Sequence, residues 1–177
     1  QFGSTVPAVV DDGTGNLVLR LTAGNATGTS TAGFASTQPL SFFPGTVEVD
    51  FDLRITPVSN QGDGIGFAWL DPLQWGSSGQ APQFGEEPNL AGSFGVGFDP
   101  LSNGELNDNH VSLHFDGREL VELNVPGFRL DSGGKHHARI VMSAAAGGSN
   151  VSVYLTPEGG AEIAVVEGYF VAGMLPY

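Results

Sequence analysis

The sequence predicts an all-β domain, an antiparallel β-sandwich or jelly roll, on three observations. Apolar and polar residues alternate in five segments, the pattern of strands with one wet face. Twenty-seven glycines and eleven prolines interrupt that alternation at short intervals, where turns require a positive or a fixed φ. No stretch carries the period of an amphipathic helix.

In chain order, "LVLRL" (17–21) is the first alternating run and follows the turn signal "DDGTGN". "TVEVDFDLRI" (46–55) follows "FFPGT" and sets Val47, Val49, Phe51, Leu53 and Ile55 on one face, with Glu48, Asp50, Asp52 and Arg54 on the other. Residues 71–92 carry Trp75 and Phe84 but no period, so they form either a functional loop or a crossover pinned by its aromatics. "FGVGFD" (94–99) reads as a strand buried on both sides, its glycines permitting close packing, and it delivers Asp99 at its end. A polar connection ending in "NDNH" leads to "HVSLHF" (110–115). "HARIVM" (137–142) and "NVSVYL" (150–155) complete the set, with "FDGRE", "DSGGK" and "AAGGSN" as turns.

At 177 residues without a break in composition, the chain is expected to bury its apolar side chains in a single domain, 1–177. Aspartate and glutamate outnumber lysine and arginine 19 to 6, a formal charge of −13 that repels phosphate backbones and anionic lipid. Nucleic acid is not an expected partner, whereas hard cations suit such a surface. The absence of cysteine removes disulfides, thiolate catalysis and zinc–thiolate sites. No run approaches the length of a membrane span, and the chain opens at Gln1 with neither methionine nor signal peptide. It reads as a processed or excised segment.

The chemistry concentrates between residues 99 and 110. Calcium takes six to eight oxygens from carboxylates, amides, backbone carbonyls and water, and one irregular loop can supply several of them. Asp99, Asn103 and Asp108 are suitable ligand types, with Pro100 stiffening the loop and Gly104 allowing it to turn. A polar hairpin loop without an ion uses the same residues.

Several segments, in order, resemble the L-type (legume-like) lectins and their bacterial relatives, which share a concanavalin-like jelly roll. In that family a strand ending in Phe-Asp is followed by an aromatic two residues on and an asparagine four residues on. An acidic residue in the next turn and "NH" opening the next strand complete the pattern. Here these positions are Phe98-Asp99, Leu101, Asn103, Asp108 and Asn109-His110. "GDGIGFAWLDP" resembles the family's upstream segment whose aspartate, here Asp63, reaches the sugar. "LAGSFGVG" resembles its glycine-rich lead-in, with Gly92 and Gly95 where a backbone N–H meets the sugar. The early "LVLRLTAG" and "VEVDFDLRI" and the late "HHARIVMSA" and "VSVYL" resemble its outer strands.

The resemblance implies a calcium ion held by the Asp99 and Asp108 carboxylates, the Asn103 amide oxygen and the Leu101 carbonyl. It implies a glycan site of Asp63, Gly95, Leu101 and Asn103, in an extracellular or cell-surface lectin or adhesion module that is not an enzyme. Where legume members carry a glutamate for a transition metal, this chain has Gly97, so no manganese-type site is expected and His110 and His114 are read as structural or solvent-facing. The sugar-stacking aromatic is replaced by Leu101, for which Trp75 or Phe84 could substitute. The chain's ends fall short of the family's terminal strands, and a neighbouring domain or chain could complete the sheet edges.

Two other functions stay open. A structural or adhesive module would use calcium only to stiffen the loop. A glycoside hydrolase on the same kind of sheet would use Glu48, Asp50 and Asp52, which alternate along one strand about 7 Å apart. Retaining hydrolases need carboxyls about 5 to 5.5 Å apart, and an ordinary solvated strand face explains the trio equally. Asp11-Asp12 and Glu86-Glu87 read as solvated loop charges. Asn25 and Asn150 open glycosylation sequons.

Overall fold

The structure is a computed structural model that describes residues 2–3, 6–23, 30–32, 45–57, 62–76 and 85–174. In chain order its elements are β1 (Phe2–Gly3), β2 (Ala8–Asp11), β3 (Leu17–Arg20), β4 (Ser30–Thr31), β5 (Thr46–Leu53), β6 (Ile65–Leu70) and a helical turn, α1 (Pro72–Trp75). Then come β7 (Ser93–Asp99), β8 (His110–Phe115), β9 (Arg118–Asn124), β10 (His136–Ala145), β11 (Gly148–Thr156) and β12 (Ile163–Ala172). The described chain is therefore nearly all β, and every strand pairing is antiparallel.

Two four-stranded sheets dominate, ordered β12-β11-β10-β5 and β6-β7-β8-β9, with β1-β4 and β2-β3 as two-stranded ribbons. The large sheets share one hydrophobic core, because alternation turns one apolar row of each toward the other. Ala138, Ile140, Val151, Val153 and Leu155 come from the first sheet, and Phe94, Val96, Phe98, Val111 and Leu113 from the second. Phe51 of β5 links the two layers, its ring 5.7 Å from Phe67 and 5.9 Å, edge-on, from Phe98. The turn read from "FDGRE" joins β8 to β9 through Asp116 and Gly117, both at positive φ (50° and 75°), as a two-residue type I′ turn requires.

Strand β8 differs from the expected half-wet strand: His110 to His114 are all buried. The physical reason is residues 85–90, which lie over the sheet's second face. Glycines make room for them. A Cβ on Gly66 would stand 2.7 Å from the Gly85 carbonyl oxygen and 2.8 Å from that of Glu86. One on Gly97 would stand 2.7 Å from the Glu86 carbonyl and collide with Ser112 Oγ, and one on Gly95 would collide with Pro88. The segment is anchored at its far end, where Ser93 Oγ and the Gly117 amide donate to the Leu90 carbonyl at 2.7 and 2.9 Å. Trp75 does pin the long connection, donating Nε1–H to the Ala91 carbonyl at 3.0 Å, while Phe84 and Asn25 lie outside the described residues.

Candidate functional site

Strand pairing sets Asp99 at the end of β7 directly opposite His110 at the start of β8, so both side chains share the covered face. Asp99 is fully buried; its Oδ1 accepts from the Leu101 amide at 2.6 Å, and its Oδ2 has no protein partner among the described residues. Burial pushes its carboxyl up to about 7, opposed by the Leu101 N–H and His110 and reinforced by Glu86 and Glu105.

The 99–110 connection is organised by its own polar side chains. Asn103 Nδ2 donates to Asp63 Oδ1 at 3.0 Å, joining residues 40 apart in sequence. Its backbone N–H donates to the Glu105 carboxylate, and the Leu106 N–H to Glu122 Oε2 at 2.9 Å. Asn109, nearly buried, donates from Nδ2 to the carbonyls of Val125 (3.0 Å) and Phe128 (2.7 Å) and accepts the Leu130 N–H at 2.9 Å. It latches the connection to residues 125–130, a role that the sequence reading, which used it only as half of an "NH" motif, did not find.

The predicted calcium ligands and sugar contacts fall into three places. Asp99, Leu101, Asn103 and Asp63 lie at the loop end of β7. Asp108 turns to Arg129, which grips its Oδ2 at 2.9 Å and also donates to the Pro100 and Asp108 carbonyls at 3.0 Å and to Asp131 at 2.7 Å. Gly95 is buried mid-strand beneath Pro88, four residues (about 13 Å of strand) from Asp99. The Gly92 N–H is committed to Asp116 at 3.0 Å. The geometry joins Asp63 and Asn103 and sets the glycines apart.

Burial corrects the reading of Glu86 and Glu87 as solvated loop charges and sets His110 and His114 as structural side chains. Glu86 and Glu87 are half-buried over the sheet, and burial raises both carboxyls, helped by neighbouring acids. His110 is fully buried; its Nδ1 lies 3.0 Å from the Asn107 carbonyl and its Nε2 has no protein partner among the described residues. His114 is a satisfied buried histidine, with Nδ1 2.8 Å from Asn89 Oδ1 and Nε2 2.7 Å from Ser112 Oγ.

The second carboxylate group lies on the outer face of the other sheet. His137 meets Asp52 at 3.0 Å and Asp50 at 3.2 Å, while Arg139 meets Glu48 at 3.7 Å, Glu162 at 2.6 Å and the Tyr154 ring at 4.1 Å. Lys135 stands 3.8 Å from Asp52. Each of the three strand carboxylates thus faces a basic side chain, a cross-strand charge ladder on a solvated surface. Among the described residues no helix is long and apolar enough to cross a membrane. No protein-family model matches this chain, and no curated protein or solved structure matches it significantly.

Proposed function

We propose that this chain is a calcium-organised carbohydrate-binding module of an extracellular or surface protein, its two large sheets forming a jelly roll. The observation that carries the reading is the Asp63–Asn103 hydrogen bond. It presents, at the loop end of one sheet, a carboxylate that accepts from hydroxyls beside an amide that can both donate and accept, the polarity needed to grip adjacent sugar hydroxyls. Leu101, half-buried next to them, adds apolar contact.

The residues fit a hard cation in part. Asp99 Oδ2 is a buried oxygen without a protein partner among the described residues, and the Asn103 amide oxygen belongs to the side chain whose Nδ2 donates to Asp63. These atoms and the Leu101 carbonyl would hold calcium, which would fix the Asn103 amide before sugar arrives. Asp108 would join them only by leaving Arg129. That same guanidinium favours a second reading, a structural or adhesive module, since Arg129 already neutralises Asp108 and ties down Pro100.

A glycan array run in parallel with calcium and with a chelator separates the readings. Selective binding that disappears with chelator supports the proposal; silence in both conditions supports the structural module. With a bound glycan in hand, Asp63→Ala should remove sugar binding and spare calcium-induced thermal stabilisation, whereas Asp99→Ala should remove both. Loss of calcium stabilisation in Asp63→Ala as well would show that the two roles are misassigned.

A further inference from the structure

The covered face of the β6-β7-β8-β9 sheet holds a second set of polar groups, two of which lack a protein partner among the described residues. His110 points from β8, and Glu122 stands on β9 beside its register position, since His110 pairs with Asn124 and Ser112 with Glu122. Glu87 descends on them from the covering segment. One ligand atom from each of Glu87, His110 and Glu122 lies within 4.8 Å of the other two.

Two observations beside that geometry point to a cation there. First, the His110 ring is wholly buried, yet its Nε2 has no protein partner among the described residues. A carbonyl only accepts, so the contact with Asn107 puts the neutral ring's proton on Nδ1 and leaves a lone pair on Nε2, with the backbone carbonyl as the outer partner that orients metal-binding histidines. Second, Glu87 Oε1 is also buried and without a protein partner among the described residues.

We infer that Glu87, His110 and Glu122 form a binding site for one divalent transition-metal ion, distinct from the Asp63–Asn103 pair. An imidazole with two carboxylates is a donor set for zinc, manganese or cobalt, whereas calcium prefers an all-oxygen shell. Ligand bonds of about 2.0 to 2.2 Å keep two ligands of one ion within ~4.3 Å, so the cluster closes with under about 1 Å of side-chain movement. The ion would staple the covering segment to the sheet through Glu87, joining three parts of the chain in one shell.

The test uses the whole chain, freed of metal with a chelator and then titrated with zinc or cobalt(II) by calorimetry, thermal melting and, for cobalt, visible absorption. One equivalent should bind, raise the melting temperature and give a ligand-field spectrum, and excess calcium should not displace it. Glu87→Gln and Glu122→Gln preserve shape and should each weaken binding at least about tenfold, while Asp63→Ala should leave it unchanged. Failure of zinc, cobalt and manganese to bind stoichiometrically overturns the inference. So does binding that survives both glutamine variants unchanged, because the ion would then sit elsewhere. His110→Gln tests the imidazole: if it folds, its cobalt spectrum should be lost.

Discussion

His114 shows how one buried side chain sets a pH dependence. Burial, and then the neighbouring His110 imidazole, pull its pKa down from the usual histidine value to about 4. Its titratable neighbours are His110 on its own strand and Glu119, its register partner on β9. In the unfolded chain the ring takes a proton near pH 6.5, whereas in the fold it resists until about pH 4. Between those values the unfolded state binds more protons, so this residue's contribution to stability is present above pH 6.5 and is lost as pH falls toward 4. The full loss is about 3 kcal/mol at ~1.4 kcal/mol per pKa unit. Carboxyls raised by burial, Asp99, Glu86, Glu87 and Glu119, pull in the opposite sense, so the raw pH profile mixes both. Urea denaturation of wild type and His114→Gln at several pH values isolates the term: the stability difference between them should shrink by about 3 kcal/mol from pH 7 to pH 4. A pH-independent difference would mean that the ring titrates normally in the fold.

At the scale of elements, the glycines of β6 and β7 decide whether the covering segment can seat. Gly95 and Gly97 alternate along β7, and Gly66 pairs with Gly97 from β6, so one face of the sheet is bare backbone at the points where Gly85, Glu86 and Pro88 approach. Gly97→Ala would place a methyl 2.7 Å from the Glu86 carbonyl, closer than side-chain carbons come in practice, and the segment must lift. We expect a loss of about 1 to 3 kcal/mol in chemical denaturation, with earlier proteolysis within 85–90. Gly62→Ala, where a methyl meets nothing within 4 Å, is the control and should be neutral; equal stability of the two variants would mean that the segment does not rest on this face. The alternation of "FGVGFD" carried this information in the sequence: buried on both sides, glycine on one. What local pattern could not carry was the occupant. "GEEPNL" is polar and reads as a solvated loop, and its burial is a tertiary event. Strands 46–53, 110–115, 136–145 and 148–156 were legible because hydrophobic alternation is unbroken there. The last strand was not, since bulges opposite Val151 to Tyr154 shift its register and break the period of two. At the candidate site, Asp63 and Asn103 were found because their motifs are local. Glu87 and Glu122 were not, because only folding brings them to His110.

For the whole molecule, the charge balance acts on folding as well as on partners. A net charge of −13 is compressed when the chain folds. Burial, and then the charge of neighbouring acids that include Glu105 and Glu122, raises the carboxyls of Glu86, Glu87 and Glu119 on one side of the molecule. Opposing this are exposed ion pairs: Arg139 with Glu48 and Glu162, His137 with Asp50 and Asp52, and Arg129 with Asp108 and Asp131. Exposed pairs contribute about 0 to 1 kcal/mol each, and salt weakens them. Salt therefore has two effects of opposite sign, and their sum shows which governs the fold. With 19 acidic residues against 6 basic ones, most carboxylates have no cation to lose, so screening of repulsion should win. Raising sodium chloride from about 0.01 M to about 0.3 M cuts the screening length from roughly 30 Å to below 10 Å. The expected result is a gain of about 1 kcal/mol, seen as a rise of about 2 to 4 °C in melting temperature for a chain of this size. The measurement belongs in chelator-treated protein, so that trace divalent ions do not supply the same neutralisation. A melting temperature that falls with salt would show that the ion-pair ladder on β5 and β10, and not the acidic surplus, dominates the electrostatics of folding.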